Sequence, residues 1–196
     1  MLNNYKIRKV LFLSISLVIL SASKAFCDND MGFFSDFKQG HWRFESVAGI
    51  GLSSSDDSDR KGDYYFASSI DYEWSIYKSK REVALRAYPF LLYNQDRNDH
   101  DETDLIYACA LGPLVRWYQT KEHLGGYIEI GVSLLWNSHL FRGNAARWNG
   151  LTEFGFGYKF DSGKHVALKL QQISNARTKF PNHGVNAIAL CFGFEF

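Results

Sequence analysis

Val185-Asn186-Ala187-Ile188-Ala189-Leu190-Cys191-Phe192-Gly193-Phe194-Glu195-Phe196 alternates two kinds of side chain along its length. Successive residues of an extended strand point to opposite sides. Ile188, Leu190, Phe192, Phe194 and Phe196 therefore share one face, and Val185, Ala187, Ala189, Cys191, Gly193 and Glu195 share the other. The first face is bulky and apolar; the second is small and ends in a charge. The segment from 146 to 160 repeats the contrast more sharply, with Trp148, Phe154, Phe156, Tyr158 and Phe160 against Asn149, Glu153, Gly155, Gly157 and Lys159. A soluble β-sandwich or lipocalin-like barrel turns its large apolar face inward and its charges to water. A membrane barrel does the reverse, facing lipid with bulky apolar groups and its lumen with small or charged ones. Trp42, Trp74, Trp117, Trp136 and Trp148 all take the apolar parity near strand ends, where amphipathic rings collect at a bilayer interface. The membrane barrel is the reading that uses them, and the soluble barrel stands as its alternative.

Working outward from these segments, the same period of two recurs from residue 41 to the end. Eight strands are expected, at about 41–53, 63–76, 82–94, 104–118, 124–137, 146–160, 164–175 and 184–196, giving an all-β, eight-stranded antiparallel transmembrane β-barrel. Each is long enough to cross a bilayer at a tilt, which takes about 9–11 residues. The connections at 53–60, 94–104, 137–144 and 177–183 are long and polar, whereas 78–80, 121–123 and 161–163 are short. Long loops outside and tight turns in the periplasm are the habit of outer-membrane barrels. Strand seven then runs outward, the loops at 53–63 and 94–104 are extracellular, and Asp161-Ser162-Gly163 is periplasmic.

The inward parity gathers Arg43, Glu45, Asp71, Glu73, Arg86, Arg116, Glu129, Glu153, Lys159, Lys169 and Glu195. Eight strands leave room only for side chains, so near-balanced charges are expected to pair across a filled lumen rather than line a channel, which disfavours a porin. Read as general acids or bases, these carboxylates have no advantage over internal ion pairs.

Residues 1–25 read as a signal peptide. Lys6, Arg8 and Lys9 precede an apolar run from Val10 to Leu20 that is too short to span, and Ser23-Lys24-Ala25 offers small residues for cleavage. The barrel domain is then 26–196. Phe26 ahead of Cys27 is too large for a lipoprotein cleavage site. The mature chain keeps 18 basic against 21 acidic residues, and this mild acidity gives no footprint for nucleic acid. Cys27, Cys109 and Cys191 match no metal-ligand spacing, and an odd number cannot all pair within one chain. Cys109 takes the lipid-facing parity and Cys191 the lumenal one, so a disulfide between them is not expected.

Strand seven holds the chemistry. Its outward row runs Val166, Leu168, Leu170, Gln172, Ser174, apolar and then polar at the outer end, and Asn186 of strand eight has the same parity. Polar side chains at a strand's mouth also suit the headgroup zone on their own account. The residues Gln171-Gln172-Ile173-Ser174-Asn175-Ala176, followed by Pro181-Asn182-His183-Gly184-Val185-Asn186 and a strand ending in Phe196, resemble the C-terminal signature of lipid A 3-O-deacylases of the PagL type. Gly126-Tyr127-Ile128-Glu129-Ile130-Gly131-Val132 and Phe154-Gly155-Phe156-Gly157-Tyr158 are similar to the same family.

The resemblance implies an outer-membrane barrel of a Gram-negative bacterium and a serine esterase that removes the 3-O-linked hydroxyacyl chain of lipid A. It implies no metal or organic cofactor. Ser174 stands at the family's nucleophile in His-x-Ser-Asn, and Asn175 matches the Asn that follows. Gln172 stands at the family histidine, Asn186 at the orienting glutamate, and Arg177 where the family often has glycine, beside amides expected to hold an oxyanion. Serine is a poor nucleophile until a base takes its proton, and glutamine accepts none near neutral pH. His183, just past Pro181, is the candidate substitute base. Three readings follow: a lipid A deacylase-like esterase, a catalytically silent barrel that binds lipid A or has a structural role, and an adhesin-like barrel built on the acidic loops around Asp56-Asp57 and 96–104. The expected partners are lipid A or lipopolysaccharide in the outer leaflet and the outer-membrane assembly machinery through Phe196, with the chain a monomer or small homo-oligomer.

Overall fold

The computed structural model describes residues 40–52, 62–76, 78–95 and 105–196. The expected signal segment, Cys27 and most of the two acidic loops lie outside the described residues. Eight strands follow in chain order: β1 (His41–Leu52), β2 (Tyr64–Ser75), β3 (Arg81–Asn94), β4 (Leu105–Tyr118), β5 (Gly125–Asn137), β6 (Trp148–Lys159), β7 (Lys164–Ser174) and β8 (Val185–Glu195). Each pairs antiparallel with its sequence neighbours, and β1 pairs with β8 to close the barrel. Closure leaves no strand edge unpaired, which lipid requires because hydrocarbon cannot hydrogen-bond a bare backbone. The start of β1 and the end of β8 both lie at the end with the short turns; the longer connections are at the other.

The expected faces are the observed ones. Bulky side chains such as Phe66, Leu111, Leu134, Phe156, Leu168 and Phe192 are exposed on the outer wall. The soluble reading, which needs this face packed inside, is thereby excluded. Trp42, Trp74 and Trp117 stand at the short-turn end and Trp136 and Trp148 at the loop end, all on the outer face. Cys109 is exposed and Cys191 buried, and both are free.

Inside, the lower lumen is a continuous ion-pair network. Glu45 accepts from Arg86 Nη2 at 2.8 Å, Lys169 Nζ at 2.5 Å and His165 Nε2 at 3.1 Å. Arg86 also meets Asp71 at 2.7 Å, and Arg116 meets Glu129 at 2.8 Å. Arg43 Nη2 and Lys159 Nζ share Glu195 Oε1, at 2.7 and 2.5 Å. At the short-turn mouth, ligand-type atoms of His41, Glu73 and Glu82 lie within 4.8 Å of one another, and Arg43 ties them into the same network, with its Nε 3.1 Å from Glu73. Towards the loop end the lumen turns aromatic and aliphatic, with Tyr65, Tyr88, Tyr93, Leu91, Phe141 and Ile173 buried together. Glycines make room for this filling: a β-carbon at Gly157 would enter the ring of Tyr127, and one at Gly193 the imidazole of His165.

One irregularity was not apparent in the alternation. Around Pro89, β3 carries one residue more than its neighbours, between Tyr88 and Leu91 against β4 and between Ala87 and Phe90 against β2. Pro89 and Phe90 are both exposed, and the inward parity changes from Ala84, Arg86 and Tyr88 to Leu91 and Tyr93. Proline has no N–H to give a ladder, so a bulge is where a strand tolerates it.

Candidate active site

The outward polar row forms where the sequence places it. Gln172 of β7 is directly opposite Thr152 of β6 on one side and Asn186 of β8 on the other, and Asn186 is in turn opposite Leu52 of β1. Ser174, two residues on from Gln172 and on the same face, lies opposite Gly150. Gln172 and Thr152 are exposed, Ser174 and Asn186 half-buried. Among the described residues, the side-chain amides of Gln172 and Asn186 make no hydrogen bond, while Thr152 Oγ1 donates to the Gln172 carbonyl at 3.4 Å. Adjacent cross-strand partners on one face are close enough to act on a single ligand. Free amides at a lipid boundary are costly unless something uses them.

The surroundings of Ser174 were less legible. Asn182, a residue no strand pattern singles out, donates from Nδ2 to Ser174 Oγ at 3.1 Å and accepts the Asn175 N–H on Oδ1 at 3.2 Å. The Ala176 N–H points at Ser174 Oγ at 3.3 Å. The serine oxygen thus receives two donors, and the two amides nearest it are engaged within the loop. Asn175 itself turns inward, is 3 % exposed, and donates to Asn144 Oδ1 and to the Lys179 carbonyl, each at 3.0 Å. From Asn144 the chain of amides continues to Asn149 and Asn137, at 2.8 Å each step. Ala176 and Arg177 both have positive φ, 51° and 62°. Glycine adopts this left-handed backbone freely; arginine holds the same turn at a cost of about 1–2 kcal/mol.

His183 does not join the serine. Its N–H donates to the Gly143 carbonyl at 2.8 Å, and its ring covers the space that a β-carbon on Gly143 would occupy. His165, buried at the far end of β7, is held by Glu45. The hydrogen-bond partners of Ser174 among the described residues are amides, with no imidazole or carboxylate among them.

In comparison with known families, residues 63–195 match the one described as lipid A 3-O-deacylase (PagL), a span that takes in Gln172, Ser174 and Asn186. The chain belongs to the PagL family. No curated protein matches it. Among solved structures it is similar to a crystal structure of the outer membrane enzyme PagL, at TM-score 0.60 and 16% identity, covering 78% of this chain and 98% of that one. A designed transmembrane β-barrel (TM-score 0.49, 9% identity, 81% and 98% covered) and the outer membrane protein OprG from Pseudomonas aeruginosa (0.44, 14%, 81% and 97%) are more distant. A closed barrel with an apolar outer wall, in a PagL-family chain, is an integral outer-membrane protein.

Proposed function

We propose that this PagL-family barrel recognises lipid A in the outer leaflet at the patch formed by Thr152, Gln172, Ser174 and Asn186, and does not hydrolyse it at an enzyme's rate. The observation that carries the reading is the amide at position 172. A serine hydroxyl attacks an ester only as a neighbouring base removes its proton, a contribution of about 10² to 10⁴ in rate. Glutamine at that place can hydrogen-bond a carbonyl or hydroxyl of a glycolipid but cannot take the proton. Asn186, facing Gln172 across the ladder, keeps the hydrogen-bonding capacity of a glutamate without its charge. What is left is a polar recognition patch on a lipid-facing wall. A base supplied by His183 finds no support in its packing on Gly143.

Mass spectrometry of lipid A from cells with and without the protein tests this. Equal acylation in both is the expected result. Loss of one 3-hydroxyacyl chain in cells carrying the wild type, abolished by Ser174→Ala, would make the chain an active esterase and end the silent reading.

A further inference from the structure

The chain contains no aspartate or glutamate between Glu129 and Glu153, and none between Asp161 and Glu195. Those two intervals hold the connections 138–147 and 175–184 at the loop end. Their charges are consequently all of one sign, from Arg142, Arg147, Arg177 and Lys179, with His139 and His183 beside them. The two connections are also one body. Ala145 N–H donates to the Pro181 carbonyl at 2.9 Å, His183 N–H to Gly143, and Asn144 pairs with Asn182 as an isolated β-bridge. Beneath them, buried Asn175 holds both the Asn144 side chain and the Lys179 backbone.

Between the joined connections runs a groove of about 830 Å³. Arg147, Thr178 and Lys179 line it together with Trp136, Trp148 and Leu140. Trp136 and Trp148 are a cross-strand pair on the outer wall, 37 % and 60 % exposed. Arg142 is committed inward, 3.2 Å from Asp63. Arg147 and Lys179 are exposed and have no acidic partner among the described residues. An uncompensated basic pair set against interfacial tryptophans is complementary to an amphiphile whose anion lies just beyond its acyl chains. Arginine and lysine both bind phosphate oxygens well, arginine by two parallel hydrogen bonds.

We infer that this groove grips the phosphate monoester of a phosphorylated, acylated outer-leaflet glycolipid. Arg147 and Lys179 contact the phosphate oxygens, and Trp136 and Trp148 lie against the first acyl carbons. The inference rests on the lipid A reading above and names the part of the molecule that is held. It makes headgroup capture independent of hydrolysis, since neither basic residue touches Ser174.

Native mass spectrometry of the full chain, folded in detergent, against lipid A and against lipid A stripped of phosphate with the same acyl chains tests it. The wild type is expected to prefer the phosphorylated form at least tenfold, and raising salt from about 0.05 to 0.5 M is expected to shrink that preference. Arg147→Gln with Lys179→Gln should abolish the preference, and the charge-keeping pair Arg147→Lys with Lys179→Arg should retain most of it; heat-modifiable gel migration confirms that each variant is folded. Equal binding of the two lipids by the wild type overturns the inference, as does a preference that survives the neutral pair. Capture of inorganic phosphate without retention of lipid overturns it too. Deacylated lipid A recovered from the wild-type sample would end the silent-barrel reading while leaving the phosphate grip intact.

Discussion

Restoring the missing base is the most direct examination of the candidate site. Gln172 and Ser174 are separated by two steps of strand rise, about 6.6 Å along one face, a gap that an imidazole and a serine hydroxyl close between them. The serine oxygen already accepts from Asn182 and Ala176, at 3.1 and 3.3 Å, so its proton is the part of the group still available. The acceptor nearest that proton is Asn182 Oδ1 at 3.4 Å, a weak competitor at that distance. Gln172→His is therefore expected to raise lipid A deacylation by about 10² to 10⁴, the ordinary worth of general-base assistance. At about 1.36 kcal/mol per tenfold, this lowers the barrier by about 3–5 kcal/mol.

The register sets the second step. Asn186 lies directly opposite position 172, so Asn186→Glu brings a carboxylate to the far nitrogen of the introduced imidazole. Fixing the tautomer in this way is worth up to about 10⁴ in serine-hydrolase triads. Purified single and double variants, incubated with lipid A in detergent, are assayed for release of 3-hydroxy fatty acid over time. The double variant should exceed the single, and adding Ser174→Ala should return it to background. If Gln172→His in a folded barrel shows no release above wild type, position 172 does not address Ser174 and the transfer of family roles to these residues is wrong. Gained activity that survives Ser174→Ala would refute the transfer equally.

Three further outcomes are expected. Glu45→Gln, which takes the charge from a carboxylate bonded to Arg86, Lys169 and His165, should cost about 3–5 kcal/mol in urea unfolding from lipid vesicles, and Lys169→Met added to it should recover a large part; a cost below about 1 kcal/mol would mean a hydrated, screened lumen. A lipid-soluble maleimide should modify Cys109 and spare Cys191 in the folded barrel, and a Cys109–Cys191 disulfide in non-reducing peptide maps would contradict the observed faces. Ser55→Cys should react with an impermeant thiol reagent on intact cells and Ser162→Cys should not; the opposite pattern would invert the orientation.

The barrel was legible because its two faces are chemical opposites, so eight strand positions and the sides of the tryptophans, cysteines and lumenal charges can be read by counting in twos. The count fails where the chain adds a residue. At Pro89 the parity slips, and a proline in mid-strand was the available sign. Glu82 and His165 are lumenal as well, and their isolated positions near turns gave little to count. The polar row of Gln172, Ser174 and Asn186 was readable because each lies on a regular strand. Its surroundings were not, since Asn144 and Asn182 meet through irregular connections 38 positions apart, where no period operates. Only the fold brings the all-basic connections together beside the two tryptophans.

The seam between β1 and β8 differs from every other junction in the wall. Seven pairings join strands that are sequence neighbours; the eighth joins Arg43 to Glu195 and is pinned by reciprocal backbone bonds between Trp42 and Phe196, at 3.1 and 2.9 Å. The entropy of bringing chain ends together grows with the length of chain between them. Seven pairings therefore close short connections, whereas the seam alone joins strands at opposite ends of the barrel sequence. Until it forms, β1 and β8 each expose a full row of unpaired amides and carbonyls. Removing Phe196 deletes both bonds to Trp42 but leaves the pairing from Arg43–Glu195 to Leu52–Asn186 in place, so the seam is loosened at its short-turn end and stays closed above it.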